Sequence, residues 1–165
     1  MPLEPAITEI EKLKDNPALA CVLAWRSDAV ESAKWDREEF AITLQREALR
    51  EACALLRDDP QTQFNFLADI TCVDWYPSEP RFEVVYNLLS ISRKDRVRIK
   101  VRLDGSDPNV ESLTSLWPGA NFFEREVFDL FGVRFNGHPY LRRIMMPDDW
   151  EGHPLRKDYP VEGYR

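Results

Sequence analysis

The chain has 165 residues, a net charge of −7, and 44% hydrophobic and 31% charged residues, which fits one globular domain with a sizeable core. The acidity weighs against a general nucleic-acid binder, and no apolar run approaches the roughly 20 residues of a membrane span. The polar start MPLEPAITEIEKLKDNP lacks the basic and apolar regions of a signal peptide, so a cytosolic chain is expected.

Cys21, Cys53 and Cys72 lie far apart with no C-x-x-C pair, which excludes zinc-finger and iron–sulfur spacings and predicts reduced, buried thiols. All six glycines lie at or after Gly105, so no phosphate-cradling loop can follow an early strand.

Residues 6–15 place Ile7, Ile10 and Leu13 at helical spacing. The apolar run ACVLAWR (20–26) predicts a strand, and 28–34 a weaker one. Asp36 with Glu39 resembles a capping box, and Phe40, Leu44, Ala48, Ala52 and Leu55 continue as a helix to about Arg57, before Asp58, Asp59 and Pro60. Three strands follow at 64–75, 81–92 and 97–103, with Phe82, Val84, Tyr86 and Leu88 on one face and SRKD (92–95) as a hairpin connection. The third strand carries Arg96, Arg98, Lys100 and Arg102 opposite Val97, Ile99, Val101 and Leu103. That basic face either meets an acidic partner or, the favoured reading, is a solvated face.

VESLTSLW (110–117) reads as a short helix ended by Pro118 and Gly119. NFFEREVFDLFG (121–132) reads as a second, with Asn121 and Glu124 as a capping box and Gly132 as its left-handed end. The order predicts an α+β, two-layer domain with one mixed or antiparallel sheet packed by helices. Its division is into a globular part, 1–132, and an extended C-terminal arm, 133–165.

The arm contains GHPYLRRIMMPDDWEGHPLRKDYP (137–160), with both histidines of the chain. His138, Asp148, Asp149 and His153 could supply metal ligands for an independent metal-dependent enzyme. Their spacing matches no compact ligand motif, however, and each histidine precedes a proline that favours extended backbone. No nucleophile elbow or nearby cysteine supports hydrolysis. Adjacent Asp148 and Asp149 point apart in extended chain and cannot flank one bond. The segment instead combines stiffening prolines with Tyr140, Leu141, Met145, Met146, Trp150, Leu155 and arginines, the residue types of interfaces. It reads as a docking strap that lies on its own domain, on a partner, or on both. Glu126 and Asp129 are candidates to pair with Arg142 or Arg143; ordinary solvated charge is the alternative.

The run EREVFDLFGVRFNGHPYLRRIMMPDDWEGHPLRKDYP (124–160) resembles the signature of the C subunit of NADH–quinone oxidoreductase, respiratory complex I. The family's blocks fall on Glu124, Arg125, Glu126, Asp129, Leu130, Phe131 and Gly132. They continue on Gly137, His138, Pro139, Leu141, Arg142 and Arg143, and on Met146, Pro147, Asp148, Asp149, Trp150, Gly152, Pro154, Leu155, Arg156, Lys157, Asp158, Tyr159 and Pro160. The resemblance implies a non-catalytic peripheral-arm subunit that binds no flavin, iron–sulfur cluster or quinone itself, those cofactors belonging to partner subunits. Its implied partners are other complex I subunits, chiefly the D subunit and also the B and I subunits. The implied place is the cytoplasmic face of the bacterial inner membrane, held indirectly through the complex. The chain is short after Tyr159, so a longer tail or a fusion to the D subunit is not expected. The same subunit type serves membrane-bound hydrogenases and other quinone- or ferredoxin-linked relatives, which stays an alternative.

Overall fold

A computed structural model describes residues 5–163. A five-stranded mixed sheet organises the chain, in the order β1 (Val30–Asp36), β2 (Glu39–Leu44), β5 (Asp95–Leu103), β4 (Phe82–Ser90), β3 (Phe66–Asp74). Only β2 and β5 run parallel; the other neighbours are antiparallel. Along β5, Val97, Ile99, Val101 and Leu103 are buried, and along β4 Phe82, Val84, Tyr86 and Leu88 join them. The period-2 alternation puts these side chains on one face. There they form a single core with α2 (Pro17–Trp25), α3 (Leu49–Asp58) and α4 (Ala120–Phe131).

Several local expectations are overturned. The helix of 6–15 shrinks to α1 (Ile10–Leu13), and Ile7 instead bridges to Trp35 beside β1. Residues 20–25 belong to helix α2, not a strand, and Arg26 is its C-cap. Pro17 opens it and Asn16 Oδ1 accepts the N–H groups of Ala18 and Leu19 at 3.0 and 3.4 Å. An apolar run this short carries no periodicity that separates strand from helix.

The single helix expected over 40–57 is two elements, β2 and α3. Arg37 and Glu38 both have positive φ, 51° and 64°, and form a two-residue hairpin turn closed by the Asp36–Glu39 pair. The apparent capping box is therefore a turn. Phe40 and Leu44 misled because a four-residue step is in phase with both a helix and a strand.

Residues 110–117 form no helix. Asn109–Glu111 is β6, parallel to β7 (Arg134–Asn136), and turns follow. Asn121 is not a cap: α4 starts one residue earlier, with Gly119 at the cap position. After Asn136 the chain has no further helix or strand through Gly163. The thiols Cys53 and Cys72 are buried and Cys21 is only partly so; all three are free.

Candidate functional site

The last turn of α4 and the segment laid across it make the most densely bonded polar region of the fold. An α-helix leaves its final four carbonyls without helical partners. Here each is met. Gly132 N–H donates to Phe128 O at 2.9 Å, His153 Nδ1 to Asp129 O at 2.8 Å, Leu155 N–H to Leu130 O at 3.1 Å and Arg156 Nε to Phe131 O at 2.6 Å. Three of the four donors come from the arm. Arginine here also complements the negative end of the helix dipole.

Gly132 permits this closure. Its φ is +77°, and an added Cβ would meet the His153 ring at 2.6 Å and also strike Arg156 Nη2.

Asp129 is the second device. It is fully buried, and one oxygen, Oδ2, accepts three successive backbone N–H groups, from Ile144, Met145 and Met146, at 2.9, 2.7 and 2.8 Å. Arg143 Nη1 closes on Oδ1 at 2.7 Å and Nη2 donates to the carbonyls of Trp150 and Gly152. Burial acts to raise the Asp129 pKa, but the amides and Arg143 outweigh it and hold it below the ordinary carboxylate range. The expected Asp129–Arg143 pair is thus present, whereas Glu126 is exposed. Arg142 lies over the Tyr140 ring instead, and Arg125 donates to the carbonyls of Arg142 and Arg143.

A third anchor holds the far half of the arm. Arg81 is bidentate to Asp74, at 2.9 Å for both contacts, and to Asp158, at 2.9 and 2.6 Å. Lys157 N–H donates to Asp74 Oδ2 at 2.8 Å. Burial acts to raise the Asp74 pKa, but Arg81 and the amides of Lys157 and Tyr76 bring it down to about 2. Sequence reading missed Asp74 and Arg81. The available signal was a charged residue at the inner end of each of two apolar strands, since buried charges require partners.

The remaining predicted residues separate. Glu124 is fully buried, accepts Ser112 Oγ–H and Leu113 N–H, each at 2.6 Å, and has His138 Nε2 of the arm 4.0 Å from its Oε2. Burial pushes its pKa up to about 7. His138 Nδ1 accepts Tyr140 N–H at 3.0 Å, which leaves Nε2–H to donate to Asn121 O at 3.2 Å. Burial lowers the pKa of both histidines. Each ring is held on a backbone carbonyl, and Asp148 and Asp149 are exposed. Among the described residues, no three His, Cys, Asp or Glu side chains are placed to hold a metal ion. Leu141 packs against the core, Tyr159 Oη donates to Glu151 O, and Pro139, Pro147 and Pro160 lie at the surface.

A mixed sheet packed by helices, and a last helix capped by the chain's own tail, define an α+β protein with a strap. Its sequence says which: the family model for "Respiratory-chain NADH dehydrogenase, 30 Kd subunit" matches residues 42–165, and the chain belongs to that family. The C subunit of NADH-quinone oxidoreductase from Roseiflexus sp. (strain RS-1) is 50% identical over 134 residues, covering 81% of this chain and 77% of that one. Its counterpart from Geobacter sulfurreducens is 49% identical over 128 residues, 77% and 78% of the two chains.

Among solved structures, a trypsin-resistant fragment (1-134) of Nqo5 aligns with TM-score 0.54 and 38% identity, over 62% of this chain and 83% of that one. A chain in the structure of an archaeal membrane-bound sulfane sulfur reductase aligns with TM-score 0.72 and 26% identity, over 90% and 86%. Among the described residues, no helix is long and apolar enough to cross a membrane.

Proposed function

We propose that this chain is a peripheral-arm subunit of a proton-translocating NADH–quinone oxidoreductase, with no catalytic centre of its own. Its arm, 133–165, is the docking element toward the quinone-site subunits, chiefly the D subunit and also the B and I subunits. Flavin, iron–sulfur clusters and quinone belong to partner subunits, and the chain reaches the cytoplasmic face of the membrane only through them.

One observation carries this reading: the two sides of the arm are unlike. The polar groups that tie it down turn inward, onto the α4 carbonyls, Asp129 and the Arg81–Asp74 pair, while Asp148 and Asp149 stay exposed. Its large apolar side chains turn outward, with Met145 63% and Leu155 52% exposed beside Tyr140, Ile144 and Trp150. Inward bonding fixes the backbone beforehand, so docking the apolar row loses little further entropy. Trp, Tyr and Met are also the residues that anchor interfaces.

The test uses full-length protein with Met145→Asp, Trp150→Ala and Leu155→Asp together. These changes leave every inward bond in place. The expected result is a folded chain that no longer co-purifies with the quinone-site subunits; unchanged co-purification overturns the reading. The likeness to the sulfane sulfur reductase chain favours a second reading, the equivalent subunit of a relative with another electron donor. NADH oxidation by the complex captured on this chain separates the two.

A further inference from the structure

The outer face of the sheet is basic along β5, but its cations are not in equal states. Arg102 and Lys100 reach Glu83 at 3.5 and 2.8 Å, and Arg98 reaches Glu39 at 2.8 Å and Asn87 at 3.2 Å. Toward the β4–β5 hairpin this neutralisation stops. Among the described residues Arg93, Lys94 and Arg96 make no side-chain ion pair, and the carboxylates nearby are Asp95, which accepts the Arg96 amide, and Glu39.

The same end carries exposed apolar side chains. Phe66, Leu89 and Arg96 lie side by side across β3, β4 and β5. Phe66 is 47% exposed and Ile91, at the hairpin, 67%. The hairpin is held, with Ser92 Oγ donating to Gln63 at 2.6 Å. A cavity of about 590 Å³ opens here, lined by Glu39, Leu89, Ile91, Lys94, Arg96 and Arg98 among others. That size lies within the range of ligand and anchor pockets.

We propose that this hairpin end is a second docking surface, separate from the arm, and that its occupant is an acidic amphipathic segment of a neighbouring protein. The segment lays an apolar row on Phe66, Leu89 and Ile91 and places carboxylates against Lys94, Arg96 and Arg93. The unneutralised cations select the charge of the occupant, and the cavity between strand ends suits a helix or extended segment seated by apolar anchors. A second copy of this chain is disfavoured by its own net charge of −7. The surface rests on the proposed membership of a complex; the arm and the hairpin end are tested independently.

The experiment uses the assembled complex. Ile91→Cys in a Cys21→Ser background carries a maleimide benzophenone, and mass spectrometry locates the photo-adduct; Glu51→Cys, exposed in the first turn of α3, is the control. The expected adduct falls on an acidic, apolar-patterned segment of one neighbouring subunit. In parallel, Arg93→Glu, Lys94→Glu and Arg96→Glu together reduce the retention of that subunit about tenfold at roughly 150 mM salt, while contacts made through the arm persist. The proposal is overturned by an adduct no stronger than the control, by an adduct on a second copy or a basic segment, or by unchanged retention in the charge-reversed protein. Loss of the whole chain from the complex in the arm variant, with this chain's hairpin unaltered, is instead a result about the arm.

Discussion

Replacing Asp129 by Asn removes the charge at the centre of the strap while preserving shape. The wild-type carboxylate accepts three backbone N–H groups between 2.7 and 2.9 Å and Arg143 at 2.7 Å. Asparagine keeps one acceptor oxygen and must turn an NH₂ toward either Arg143 or the three amides, so a donor faces donors. Breaking one partner of a buried pair costs about 3–5 kcal/mol. Part of the Arg143 charge can relax toward the carbonyls of Trp150 and Gly152, so the lower bound of about 3 kcal/mol applies. That corresponds to roughly a 100-fold shift toward the undocked arm.

Hydrogen exchange reads this directly. The amides of Ile144, Met145 and Met146 exchange about 100-fold faster in Asp129→Asn, while the amides of β4 and β5 keep their protection. Exchange at those three amides within a factor of about three of wild type refutes the assignment of Asp129 as the arm's anchor.

Gly132→Ala places a Cβ against the His153 ring and in a left-handed backbone position; a loss of about 1–3 kcal/mol by urea denaturation is expected, with faster tryptic cleavage after Arg142 and Arg143. Arg81→Met leaves Asp74 buried without its partner and frees Asp158, so the expected cost is about 3–5 kcal/mol, read as the fall in urea midpoint with faster exchange of the Lys157 amide. Glu124 has its folded pKa raised to about 7 from 4.5. Its favourable contribution is therefore fully present below about pH 4.5 and lost as pH rises through about 7, a change of roughly 3 kcal/mol. Glu124→Gln flattens that part of the pH–stability curve between about pH 5 and 8, and an unchanged curve speaks against a buried protonated acid. Asp129 and Asp74 act in the opposite sense: their pKa values are depressed, so their anchoring is present above the ordinary carboxylate range and is lost as pH falls through the depressed values, about 2 for Asp74, with arm release by exchange as the readout.

The strands β3, β4 and β5 were legible because each alternates or runs apolar over nine residues, long enough for the period to declare itself. Gly132 declared the end of α4 for a local reason, since few residues other than glycine adopt its φ at a helix terminus. The family signature over 124–160 was likewise present in the residue types alone.

Tertiary contacts decided the rest. The β1–β2 hairpin turns on Arg37 and Glu38, residues without the usual Asn-Gly signal, so pairing with β1 and β5 is what makes 39–44 a strand. β6 and β7 are three residues each and exist because they pair across 25 positions of sequence, a distance no local pattern encodes. Asp129 read either as a partner for an arm arginine or as a solvated acid, and the three arm amides that converge on it carried no signal; Glu124, read as the capping-box partner of Asn121, proved to be a buried acid. A carboxylate's role depends on which donors reach it and on whether water does, and both are set by segments far away in the chain.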